Sequence, residues 1–288
     1  MGLLSGLEKF GLGQDGDLDI TKDEKSAKKG GAIKKGTVAQ VVEEKDLVLD
    51  KVVQCPVCDK KFHTLTVKTG KAKRMEPDPD LRPNFQGIDT VKYDVVLCPN
   101  CGYAAMPKDF VHLTTGQMKW IRQQISEKFT PLKDEVKETY TYDEAVDRFK
   151  LALVSTMVKK GKMSEKAYIC LKIAWLRRSQ YETIKDNTPE NLKKKEEVKK
   201  EWDGFYRQAY DGFVKASETE MPPYCGGMDS NTLEFMLANM AMYFKDYGAA
   251  SKLVSRLLTS PNSNQRVKDK CLDLKEQITA GVKEQQGK

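Results

Sequence analysis

Cys55-Pro56-Val57-Cys58 and, after 39 intervening residues, Cys98-Pro99-Asn100-Cys101-Gly102 decide how this chain is read. Two CxxC pairs supply four thiolates, the donor set of a closed tetrahedral Zn²⁺ site. The two-residue spacer lets backbone N–H groups turn back towards the sulfurs. Pro56 and Pro99 stiffen each turn, and Gly102 can take a positive φ there. One structural zinc ion on Cys55, Cys58, Cys98 and Cys101 is therefore expected. The competing redox reading of CxxC wants a single pair at a helix N-terminus with a lowered thiol pKa, and two pairs speak against it. Iron can occupy the same four-thiolate set, with zinc the default for a closed structural site.

The flanks of the two pairs read as a zinc ribbon over 38–112. Val41, Val42, Leu47, Val48, Leu49, Val52 and Val53 give an extended lead-in, and Phe62 to Thr69 alternates like a strand. Val91 to Leu97 predicts a second strand running into Cys98. So small a β unit has almost no core, and a structural zinc, worth on the order of 10–16 kcal/mol in small peptides, has to hold it. His63 and His112 are expected to be structural, since four thiolates complete the shell and neither histidine has a triad partner. The insert between the strands, Gly70 to Thr90, has a basic edge at Lys71, Lys73 and Arg74. The Pro-broken run Glu76-Pro77-Asp78-Pro79-Asp80-Leu81-Arg82-Pro83 follows. Asp78, Asp80, Asp89 and Asp94 invite a carboxylate-site reading, but a solvated loop of turn-forming residues explains them more simply. Eight Lys and Arg against six Asp and Glu over 55–101 is too balanced for a dedicated nucleic-acid ribbon.

From 113 to 288 the pattern is helical. Thr114 and Gln117 form a capping box ahead of Met118, Ile121, Ile125 and Phe129, a stripe stopped by Pro131. Further helices open at Tyr142, at Ser164, in the charged stretch Lys185 to Glu201, around Ala209, and near Asp229 and Asn264. The one from Asp229 is interrupted at about Tyr247. Ala145-x₃-Phe149-x₂-Ala152 recurs as Ala209-x₃-Phe213-x₂-Ala216 and, more weakly, as Ala250-x₃-Val254-x₂-Leu257. Small residues let helices approach and the aromatic fills the gap, as in the second helix of a tetratricopeptide repeat. The intervals of 64 and 41 residues make these repeats degenerate. The fold class read from this is α+β, mostly α: a small β zinc ribbon followed by a tetratricopeptide-like antiparallel helical array.

Ahead of the ribbon, 1–37 reads as a flexible tip and a Lys-rich linker. Leu3, Leu4, Leu7 and Phe10 lie at helical spacing, too few to form a stable helix alone. They could dock on a partner or on this protein's own helices. Met1 to Gly13 has no secretory pattern, and Gly6 stands where myristoylation wants Ser or Thr. Seven cysteines, four of them in CxxC pairs and the rest scattered, argue for a reducing, cytoplasmic setting. A net charge of +7 permits an acidic partner without demanding one.

Tyr93-Asp94-Val95-Val96 before the second pair, Cys98-Pro99-Asn100-Cys101-Gly102-Tyr103-Ala104-Ala105, Glu165-Lys166-Ala167-Tyr168-Ile169-Cys170-Leu171 and the opening Met1 to Gly13 resemble a bacterial family of uncharacterised proteins known by a domain-of-unknown-function label. The resemblance covers most of the chain. It implies a cytosolic bacterial protein with a zinc site and tetratricopeptide-like helices, and it brings no activity or catalytic residue.

No acid/base or nucleophile constellation stands out, so a non-enzymatic adaptor for a protein or peptide partner is the leading expectation. Its candidate contacts are Lys71, Lys73, Arg74 and Arg82 on the insert and Tyr168, Trp175 and Tyr206 on the helices, if the aromatics are exposed. A nucleic-acid ribbon would instead use Lys68, Lys71, Lys73 and Arg74 with Phe62 and Tyr103 as stacking groups. A metal-dependent enzyme would use the Asp-rich insert.

Overall fold

The computed structural model describes residues 6–12, 43–133 and 136–286. Expectations for the linker and for Val38 to Val42 lie outside them. Two short antiparallel pairs make the β part: β1 (Val48–Gln54) with β2 (Lys61–Val67), and β3 (Val96–Leu97) with β4 (Ala104–Ala105). Each pair flanks one CxxC turn. Among the described residues seven α-helices follow: α1 (Thr115–Ile121), α2 (Tyr142–Val158), α3 (Met163–Thr183), α4 (Pro189–Thr219), α5 (Ser230–Tyr243), α6 (Tyr247–Thr259) and α7 (Gln265–Gln286). None of these helices is long and apolar enough to cross a membrane.

Local chemistry explains most helix starts. Thr114 with Gln117 and Thr141 with Glu144 are full capping boxes. Thr188 caps α4 with Pro189 in its first turn, and Asp229 and Asp246 cap α5 and α6. α3 has no cap of its own; the Glu220 carboxylate, at the far end of α4, accepts the Ser164 N–H at 2.9 Å. α3 is also buried on nearly every side, packed between α2 and α4, and so it lacks a polar face.

Two sequence expectations change. Val91 to Leu97 is not one strand: Asp89 accepts the Val91 N–H and starts a 3₁₀ turn, Thr90–Tyr93, leaving only Val96–Leu97 extended. The charged stretch and the Ala209 helix are one helix, the 31 residues of α4. The repeated small–aromatic motifs are the buried faces of α2, α4 and α6.

One apolar cluster runs from Leu7, Phe10 and Leu12 through Cys55, Cys98 and Cys101 into α2, α3 and α4. A polar layer crosses it where Glu201 of α4 accepts from Lys150 of α2 at 2.7 Å and Arg177 of α3 at 2.6 Å. Paired charges of this kind fix which helix faces meet. A second cluster joins α5, α6 and α7.

Candidate metal centre and the surfaces around it

The two CxxC turns are built alike. In the first, the Cys55 N–H donates to the Lys60 carbonyl and the Asp59 N–H to the Cys55 carbonyl. In the second, the Cys98 N–H donates to the Tyr103 carbonyl and the Gly102 N–H to the Cys98 carbonyl. The residue after each second cysteine is left-handed, Asp59 at φ 60° and Gly102 at φ 74°. The expected use of Gly102 is thus met, and an exposed aspartate fills the same role in the first turn. Gly102 is needed for a second reason: a Cβ there would lie 2.4 Å from the Phe129 ring.

The four sulfurs lie within 4.8 Å of one another, with Cys55–Cys101 and Cys58–Cys98 both at 3.6 Å. Four sulfurs about 2.3 Å from a central zinc would stand about 3.8 Å apart, so the donor set fits a tetrahedral metal ion. Cys55, Cys98 and Cys101 are buried and Cys58 half-buried, and together they offer the four ligands of a tetrahedral shell. Among the described residues this is the one cluster of His, Cys, Asp or Glu able to hold a metal. Without a cation the thiols work against each other. Bonds from Cys101 and Cys55 favour the Cys98 thiolate, while the bonds Cys101 shares with Cys55 and Cys98 push its own thiol up. A bound dication removes that conflict by favouring all four thiolates.

The centre is clamped from outside the ribbon. Arg122 donates to the Val57 carbonyl at 2.8 Å and the Leu132 N–H to the Pro99 carbonyl at 2.8 Å, one grip on each turn. Tyr103, wholly buried, stacks on Phe110 at 4.9 Å and donates to its carbonyl. The Ala104 N–H donates to Ser155 of α2. The tip belongs to the same junction: Phe10 stacks on Phe129 at 5.9 Å, and its carbonyl accepts the Thr130 N–H. Gly11 permits this approach, since a Cβ there would lie 2.0 Å from the Lys128 carbonyl oxygen. Of the two expectations for the tip, docking on this protein's own helical part is the one seen for 6–12.

The insert is folded rather than loose. Met75 and Gln86 donate to Asn84 and Lys73 across it, and Leu81, at φ 69°, turns its end. That end is latched to α3 and α4. Asp80, 3% exposed, accepts from Trp175 Nε1 (2.9 Å), Arg178 (2.9 Å) and the Tyr206 hydroxyl (3.1 Å). Asp78 accepts from Arg82, Asn84 and Arg178, while Arg82 forks onto Glu182. Burial alone would raise the Asp78 carboxyl, but Asn84, Arg82 and Arg178 hold it below the usual carboxylate range.

These placements revise the candidate contacts. Trp175 and Tyr206 are buried in the core, so neither is a surface group, and Arg82 is spent on Asp78 and Glu182. Tyr168 is half-buried with Lys172 over its ring. Lys71, Lys73 and Arg74 are exposed on the insert, whereas Phe62 and Tyr103 are buried and cannot stack on bases. His63 pairs with Asp50 across β1 and β2 at 2.5 Å, away from the thiolates, and His112 is exposed. Burial pushes the Cys170 and Cys225 thiols up, Cys225 to about 12, which disfavours the thiolate at both.

Sequence reasoning missed a row of half-buried rings across α3, α4 and the end of α5. Tyr181 lies 6.0 Å from Trp202, Trp202 5.5 Å from Tyr243, Tyr243 5.2 Å from Phe244, and Phe244 6.0 Å from Tyr210. Lys199 sits over Trp202 and Tyr243, and Arg207 lies 3.6 Å over Phe244. The signal was available in α4, where Trp202, Tyr206 and Tyr210 recur every four residues.

Compared with known families, residues 48–278 match a family model described as an uncharacterised protein conserved in bacteria, DUF2225. No curated protein and no solved structure matches the chain.

Proposed function

The chain belongs to the bacterial DUF2225 family, and on that footing we propose that it is a non-enzymatic adaptor: a zinc-pinned scaffold that receives a protein or peptide partner on its helical face. The observation that carries this is the row Tyr181, Trp202, Tyr243, Phe244 and Tyr210. Tyr, Trp and Arg are the residue types that dominate binding at protein interfaces, where large rigid rings gain area at little entropic cost. Zinc is the occupant of the four-cysteine site in this reading, since the site is closed and all-thiolate. The free state of all seven cysteines suits a cytoplasmic setting. The three-residue link between α5 and α6, with helices of 14 and 13 residues, suits a degenerate tetratricopeptide-like hairpin.

A nucleic-acid partner is disfavoured on two counts. The ribbon's aromatics are buried, and α4 beside the ring row carries five lysines against five carboxylates over 189–203. The Asp-rich insert offers little to catalysis, because Asp78 and Asp80 are already occupied by Arg82, Arg178, Trp175 and Tyr206.

The test is site-specific photocrosslinking in the native cell, with a benzophenone side chain placed at Tyr210 and, as control, at Lys252 on α6. A discrete protein adduct from Tyr210, unaffected by nuclease, absent from Lys252 and lost in Trp202→Ala, is the expected result. Adducts that disappear with nuclease, or that form equally from both positions, would refute the adaptor reading.

A further inference from the structure

Between the tip, the second CxxC turn and the start of α2 lies an open cleft of about 390 Å³. Phe10, Leu97, Pro99 and Leu132 give it apolar walls. Most of its charges are matched in place: Lys9 with Asp147, Lys137 with Glu144, and His63 with Asp50. Lys133 is not free either. Arg148 stands apart from these pairs. Its guanidinium lies 4.2 Å over the Tyr140 ring, and Nη2 donates to Thr64 Oγ1 at 3.2 Å and the Val95 carbonyl at 3.3 Å. Its Nε is buried with no partner, and no carboxylate among the described residues pairs with it. Glu144, whose field reaches it, is already held by Lys137 and by the Thr141 N–H and hydroxyl.

A guanidinium fixed by two oxygens and a ring, with no carboxylate partner among the described residues, is an organised receptor for an anion. A carboxylate placed on Arg148 therefore balances its charge. Inorganic phosphate has no apolar body for Phe10, Leu97 and Leu132 to cover, so it gains nothing from those walls. Phe10, Leu97, Pro99 and Leu132 suit a hydrocarbon body on the rest of the ligand.

We propose that this cleft binds a small amphipathic monocarboxylate, with its carboxylate on Arg148 and its apolar body against Phe10, Leu97 and Leu132. The site is independent of the aromatic row on α3 to α5, so it stands or falls separately from the adaptor reading. Phe10 and Pro99 make it depend on the docked tip and on the second CxxC turn, so a ligand there reinforces the junction around the metal centre.

The experiment is calorimetric titration of the full chain, as purified, with octanoate, octanamide and inorganic phosphate. Octanoate should bind one-to-one at or below about 1 mM, with octanamide and phosphate each weaker by about tenfold or more. Arg148→Lys keeps the charge but loses the planar fork, and should weaken octanoate about tenfold. Because Arg148 also braces Thr64 and Tyr140, a second variant is needed. Leu132→Asp sits on the exposed rim and should weaken octanoate by about tenfold with an unchanged melt. The proposal is overturned by the absence of saturable octanoate binding, by octanamide binding as well, by phosphate binding more tightly, or by Leu132→Asp leaving the affinity intact.

Discussion

Asp80 accepts from Trp175, Tyr206 and Arg178 while only 3% exposed, so Asp80→Ala strands three donors at once. Loss of one partner from a buried charge pair costs about 3–5 kcal/mol, and urea unfolding of this variant should show a loss in that range. The left-handed residues of the two CxxC turns make a paired test. Gly102→Ala puts a Cβ both at φ 74° and against Phe129, and should lose about 2 kcal/mol or more. Asp59→Gly, at φ 60° in the exposed twin position, should leave stability unchanged or raise it by up to about 1 kcal/mol. Equal effects at the two positions would contradict the left-handed requirement that the two turns share. The sequence made the cysteines, the prolines and Gly102 legible because a CxxC turn is local chemistry. Asp80 read as a turn residue, since its partners lie 95 or more positions away and no local pattern announces them.

At the scale of elements, the latch between the insert and α3 should be sensitive to acid. The folded Asp78 carboxyl lies below its unfolded value, near 3.9. Its ion pairs therefore add stability in full above about pH 4, and that stability is lost as pH falls through the folded value. Arg82→Met should consequently lower the melting temperature at neutral pH by more than it does at about pH 3. A gap independent of pH would mean that the Arg82 fork adds packing but no electrostatic stability. The tip should behave as a docked element: Phe10→Ala loses a buried ring, worth about 1.5–3 kcal/mol, and should raise amide exchange at 129–132. Both capping boxes are i, i+3 patterns; that at Thr114 was readable in the sequence and is present. The strand expected over 91–97 is reduced to Val96–Leu97. It gave way because the Asp89 cap and burial on both faces favour a 3₁₀ turn. α4 read as two pieces because its first half is nearly all charge, but no Pro breaks it between 190 and 219.

Across the whole molecule, the metal centre is not an appendage. Cys55, Cys98 and Cys101 share an apolar cluster with α2, α3 and α4, and residues 122–132 grip both CxxC turns and the tip. Loss of the metal should therefore be felt in the helices and in the cleft at Arg148, not in the β pairs alone. A dication among four thiolates this close together would favour the charged form of each, which couples the fold of this junction to the metal. The most direct measurement is the metal content of the full chain purified without added metal, followed by its thermal melt before and after a zinc chelator. One zinc ion per chain is predicted, and removing it should lower the melting of the helices together with the ribbon in one transition. A folded chain that carries no metal or carries iron, or helices that melt at the same temperature after chelation, would contradict the account.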